Sequence, residues 1–136
     1  LVGSEMCIRD SITGFADLNG QTVAVKTGTQ GATYAESLKD EYGFNITYFE
    51  DSPTMYQAVL GGQCVACFED TPIMKASIKD GGLALKVLDD TASDPAPYGF
   101  AIFSADSQEL LDMFNAGLAD IKANGKYDEI LAKYLG

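Results

Sequence analysis

The stretch Thr22-Val-Ala-Val-Lys26-Thr-Gly-Thr-Gln-Gly31 decides the fold. A short β-prone run passes directly into a turn of small, hydroxyl-bearing and glycine residues. Helix formers follow from Ala32 to Tyr42, and Gly43 closes them. A strand that hands over to a helix through so short a turn is the opening of a β-α-β unit.

Outward from this stretch the pattern repeats. Upstream, Asp17-Leu-Asn-Gly20 is a turn signal. Downstream, Asn45 to Phe49 reads as a second strand, and Ser52-Pro53 as the N-cap and first position of a helix. That helix runs through Met55, Val59 and Leu60 and stops at Gly61-Gly62. Cys64 to Phe68 is a third strand, Asp70-Thr-Pro72 opens a helix to about Lys79, and Leu85 to Leu88 is a fourth strand. Strands alternating with helices predict an α/β fold, a doubly wound parallel sheet with helices on both faces.

Beyond this point the composition shifts. Asp89 to Pro97 carries Asp, Ser and prolines and reads as an extended crossing segment. One more strand is expected at Tyr98 to Phe103, then an amphipathic helix from Ser107 to about Asn124. Leu110, Leu111, Phe114, Leu118 and Ile121 share its apolar face. A last short helix after Gly125 carries Tyr127, Ile130, Leu131 and Tyr134. One strand and two helices cannot close a core. The apolar stripe either packs on the same sheet or belongs to a second lobe whose other elements lie upstream. The first ten residues have no clear period and hold the only arginine, Arg9. They look like an adapter or read-through translation, so residues 1–10 are set apart from the fold as a prefix.

Composition narrows the function. With 136 residues the chain suffices for one modest domain or parts of two. Its 20 acidic against 9 basic residues give a net charge of −11, which argues against nucleic acid as a partner and against anionic lipid. There is no histidine, so no Ser-His-Asp or Cys-His arrangement and no histidine metal site can be built. Cys64 and Cys67 form a C-x-x-C, but in an apolar strand residues three apart face opposite ways, and the second half of a zinc site is absent. With Cys7 they read as core packing. No apolar run approaches the ~20 residues that span a bilayer.

Open α/β sheets bind ligands at the carboxyl ends of their strands. The turn Lys26-Thr27-Gly28-Thr29-Gln30-Gly31 offers hydroxyls and helix N-terminal N–H groups, a seat for a carboxylate. It lacks the spacing of a P-loop or a dinucleotide fingerprint. Alternatively its glycines only make the turn, and Lys26 is a solvated surface lysine. At the end of the third strand, Asp70 either caps the next helix or pairs with a ligand ammonium, and Glu69 faces the other way if the strand continues. An anion seat beside a carboxylate suits a zwitterion.

From about Phe15 to Gly136 the chain resembles the family 3 extracellular solute-binding proteins, the carriers of polar amino-acid ABC transporters, most of all the glutamine-binding members. Asp17-Leu-Asn-Gly20, Val23-Ala-Val-Lys26, Thr27-Gly-Thr-Gln30 and Glu69-Asp-Thr-Pro72 carry the likeness. So do Tyr98-Gly-Phe-Ala-Ile102, Asn124-Gly-Lys-Tyr127 and Lys133-Tyr-Leu-Gly136. The resemblance implies a two-lobed, type II periplasmic-binding-protein fold. Residues 11–93 would be lobe two, 94–98 a hinge and 99–136 the returning part of lobe one, whose first half is missing. It implies Lys26 toward the ligand side chain, Thr29 and Gln30 toward the α-carboxylate with Thr27 also among the ligand-binding residues, Asp70 on the α-ammonium and Glu69 near the side-chain subsite. The family's carboxylate-gripping arginine would come from the missing half, a contact of about 1.5–3 kcal/mol.

The implied function is extracytoplasmic capture of a polar, glutamine-like amino acid for an ABC transporter permease, by a monomer that is periplasmic or extracellular, with or without a lipid anchor. No cofactor, metal or catalytic group is expected. A second reading is the sensor domain of a membrane receptor. A third is a dehydratase-type enzyme on the same fold, for which only Glu69 or Lys26 could act as acid or base.

Overall fold

The computed structural model describes residues 4–8, 12–88 and 90–135. Arg9 and the rest of the prefix other than Ser4–Ile8, together with Ser11, Asp89 and Gly136, lie outside the described residues. The chain divides into two compact units between Pro97 and Tyr98.

The first unit is built on a five-stranded sheet. Its strands are β1 (Ser4–Ile8), β2 (Thr22–Lys26), β3 (Asn45–Phe49), β4 (Ala66–Asp70) and β5 (Lys86–Val87), in the spatial order β3-β2-β4-β1-β5. β2 runs parallel to both β3 and β4. Helix α1 (Gln30–Tyr42) follows β2, α2 (Ser52–Leu60) follows β3 and α3 (Thr71–Gly81) follows β4. The alternation read from the sequence is therefore the alternation of the fold, an α/β sheet with helices on both faces.

Strand periodicity explains why the helices take both faces. Val23, Val25, Ala66 and Phe68 are fully buried on the α1 face, where Ala32, Ala35 and Phe44 meet them. Ala24 and Cys67, one residue out of step, point to the other face and pack with Met55, Val59 and Met74 of α2 and α3. Phe68 anchors the first core. It stacks on Phe15 and Phe44 at ring-centroid distances of 6.3 Å and meets Tyr34 edge-on at 5.9 Å. α1 starts with a Thr29 cap and stops where Gly43 turns left-handed at φ +70°, its N–H closing on Lys39 O.

Several expectations are corrected. Ser4–Ile8 does not stand apart from the fold: β1 lies between β4 and β5, antiparallel to both. Met6 and Ile8 fill one core and Cys7 the other, so this short string meets the two-residue period a buried strand requires. The sheet is consequently mixed, and β5 joins it through β1 instead of beside β4. Cys64 and Cys67 are buried free thiols, yet they share one face. The strand begins only at Ala66, and the turn in which Gln63 and Cys64 both donate to Ala58 O swings Cys64 back onto the α2 side. Contact with Cys7 and burial raise the Cys67 thiol well above its usual range, which keeps it protonated.

The second unit holds α4 (Gln108–Ala123) and α5 (Lys126–Leu135). Tyr98–Phe103 forms no strand, in contrast to the sequence expectation. A strand exists through its ladder, and the sheet's five strands do not include this segment. No described residue of this unit is buried, and Phe103, Met113 and Tyr134 are widely exposed. The stripe of α4 is real, but it covers no core of its own.

Candidate functional site

In the β2–β4 ladder Val23 pairs with Ala66, Ala24 with Cys67 and Val25 with Phe68. The next residue on each strand is Lys26 and Glu69, so parallel pairing brings them side by side at the carboxyl end of the sheet. Lys26 Nζ lies 3.3 Å from Glu69 Oε2 and donates at 2.7 Å to Ser52 Oγ. The Ser52 hydroxyl in turn donates to Glu69 Oε2 at 2.7 Å, and Tyr56 OH donates to the same oxygen at 3.3 Å. Glu69 Oε1 accepts the Asp70 N–H at 3.1 Å. Ser77 of α3 donates in turn to Tyr56 OH.

Glu69 is only 2% exposed, whereas the Lys26 side chain is 24% exposed. An ionised carboxylate buried that deeply is tolerable only when paired and hydrogen-bonded, and here four donors converge on it, three at Oε2 and one at Oε1. Burial pushes the Tyr56 hydroxyl up to about 12, with the nearby Glu69 charge acting in the same sense; its bonds with Ser77 and Ser52 oppose this.

The other face of the same edge carries the start of α1. Thr29 Oγ donates to Lys26 O at 2.7 Å and accepts from Ala32 N at 3.3 Å, which fixes the turn and caps the helix. Gln30 opens α1 and is exposed. The helix start is seated directly on β4, because Gly31 lies against the Phe68 carbonyl, where a Cβ would come within 2.8 Å of the oxygen. By strand alternation Asp70 falls on this α1 face, opposite to Glu69. It holds the N-cap position of α3 without a side-chain cap bond, so the capping role is not realised, and Ser4 Oγ donates to its Oδ1 at 3.3 Å.

Of the sequence-selected residues, Lys26 and Glu69 are in direct contact, and Thr29, Gln30 and Asp70 sit at the same strand ends on the opposite face. Thr27 is turned away. Its N–H and hydroxyl both donate to Phe49 O of β3, on the far side of β2 from β4. Two residues were missed. Ser52 was assigned the N-cap of α2, but Asp51 caps it, accepting from Thr54 N at 2.8 Å, and those bonds hold the Asp51 carboxyl below its usual range. That frees the Ser52 hydroxyl for Glu69. Tyr56 is four residues on, one helical turn along the same face; the Ser52/Tyr56 spacing was the available signal.

The described residues contain no helix long and apolar enough to cross a membrane and no cluster of three or more His, Cys, Asp or Glu placed to hold a metal ion.

Residues 9–136 match the family described as bacterial extracellular solute-binding proteins, family 3, a span that starts directly after β1. An arginine-binding periplasmic protein of Mannheimia haemolytica is 30% identical over 91% of this chain and 52% of its own length. The second substrate binding domain of a putative amino acid ABC transporter from Streptococcus pneumoniae is 35% identical, with a TM-score of 0.73 over 99% of this chain and 61% of that one. An ancestral arginine-binding protein solved with glutamine bound is 27% identical, with a TM-score of 0.78 over 99% of this chain and 60% of that one. The chain spans about half the length of the curated relatives it matches.

Proposed function

We propose, for a chain that belongs to the bacterial extracellular solute-binding proteins, family 3, that it captures a polar, glutamine-like amino acid outside the cytoplasm and delivers it to an ABC transporter permease. On this reading residues 11–93 are lobe two, Asp94 to Tyr98 is the hinge, and residues 99–136 are the returning part of lobe one. Closure of the two lobes over the ligand produces the form the permease recognises.

The observation that supports this is the clustering of unlike groups at the carboxyl ends of β2 and β4. The first turn of α1, with Thr29 and Gln30, meets the α-carboxylate through N–H groups at the positive end of a helix dipole. Asp70, on the same face, takes the α-ammonium. Lys26 is on the opposite face of that edge and meets the side chain. The head group and the side chain are thus read by separate parts of one strand-end cluster. Binding, with no covalent step, is all this set of groups needs to accomplish.

Calorimetry of the full-length protein against the common L-amino acids tests the proposal. A polar amino acid should bind one to one, and Asp70→Ala should abolish the heat while circular dichroism stays unchanged. Unchanged affinity in the folded Asp70→Ala protein would rule out the head-group assignment.

A further inference from the structure

Glu69 and Lys26 have been treated as two potential ligand contacts, but their surroundings make them unequal. The carboxylate is nearly used up: three donors crowd Oε2, one occupies Oε1, and the position that remains on Oε1 is buried. Lys26, Ser52 and Tyr56 converge on Oε2, and the Asp70 N–H occupies Oε1. It is also buried. A ligand guanidinium or ammonium that sought Glu69 would have to displace the side-chain donors on Oε2 or reach a buried Oε1 on a side chain only 2% exposed. Lys26 differs in both respects. Of its three N–H donors, two are engaged, by Ser52 and Glu69, and its side chain is the exposed member of the pair.

We propose that Glu69, Ser52 and Tyr56 are positioning residues that set side-chain selectivity through Lys26, so that the site takes amino acids whose side chain offers an oxygen acceptor and turns away guanidinium and ammonium side chains. The inference rests on the binding function proposed above and specifies its substrate class. An ammonium offers donors only, and a guanidinium also offers donors only, so Lys26 and an arginine side chain cannot hydrogen-bond. A side-chain carbonyl or carboxylate oxygen accepts the third N–H without disturbing the network. Anchoring matters because a free lysine has four rotatable bonds to immobilise, and here Ser52 and Glu69 have already fixed the nitrogen. The device also acts by exclusion: a cation brought to Lys26 faces like charge with no acceptor to compensate it.

The test compares L-glutamine, L-glutamate, L-arginine and L-lysine by calorimetry on the full-length protein and on Glu69→Gln, Ser52→Ala and Tyr56→Phe. The wild type should favour glutamine or glutamate over arginine and lysine by at least about tenfold. Ser52→Ala, the mildest change, should weaken binding of the preferred ligand and narrow its margin over arginine; Glu69→Gln should do so more strongly. A purely structural role would lower melting temperature and leave that ratio unchanged, which would overturn the assignment, and Ser52→Ala keeps the test open should Glu69→Gln not fold. Arginine or lysine binding as tightly as glutamine in the wild type would overturn the selectivity while leaving amino-acid capture intact. No binding of any amino acid would overturn both.

Discussion

Gly31 and Phe68 meet backbone to side: a Cβ at Gly31 would stand 2.8 Å from the Phe68 carbonyl oxygen. The start of α1 is thus pressed onto the end of β4 at the point where the candidate ligand groups gather. Gly31→Ala forces that contact open. Because the obstacle is backbone and cannot swing aside, the variant should lose about 1–3 kcal/mol of stability by chemical denaturation. It should also weaken amino-acid binding through displacement of Thr29 and Gln30; wild-type stability in Gly31→Ala would show that the approach is looser than described.

Phe68→Ala removes a fully buried ring that touches Phe15, Tyr34 and Phe44. The expected loss is about 3–5 kcal/mol, a large part of the stability of a unit this size. Denaturant melts measure it directly, and a loss below about 1 kcal/mol would mean that the aromatic cluster does not organise the core.

Tyr56 links stability to alkaline pH. Its hydroxyl is raised to about 12 from an ordinary value of 10.0, chiefly by burial. The folded state then holds a proton that the unfolded chain releases, so this contribution is complete below pH 10 and declines as pH rises through about 12. Tyr56→Phe should flatten the fall in stability over that window. Absorbance at the tyrosinate band, recorded for both proteins during alkaline titration, should show one late-titrating group missing from the variant.

Thr29 ties the turn to the helix with a single hydroxyl. Thr29→Ala should cost about 1 kcal/mol through loss of the N-cap, and Thr29→Ser should restore most of it. If serine fails to rescue, the methyl group, and not the hydroxyl, matters at this position.

Much of the strand and helix order was legible in the chain itself. Short β-rich runs followed by capped, glycine-terminated helices allow one arrangement of layers, because each element must bury one face and crossovers have a fixed hand. Lys26, Thr29 and Asp70 could be located for the same reason, since they stand at strand ends. What the sequence could not disclose concerns partners far apart along it. Whether Ser4–Ile8 would enter the sheet depended on an unfilled slot between β4 and β5, and whether Tyr98–Phe103 would be a strand depended on a neighbour to bond with. Strand alternation set Glu69 opposite to Asp70, and the resemblance put it near the side-chain subsite, but neither says whether its carboxylate meets a ligand or other residues of the chain. Only tertiary packing, which brought Ser52 and Tyr56 from α2 against β4 and turned both hydroxyls onto Oε2 of that buried carboxylate, decided which. Local pattern determines which faces must be hidden; hydrogen-bond saturation of a buried charge is settled by residues that become neighbours only when the chain folds.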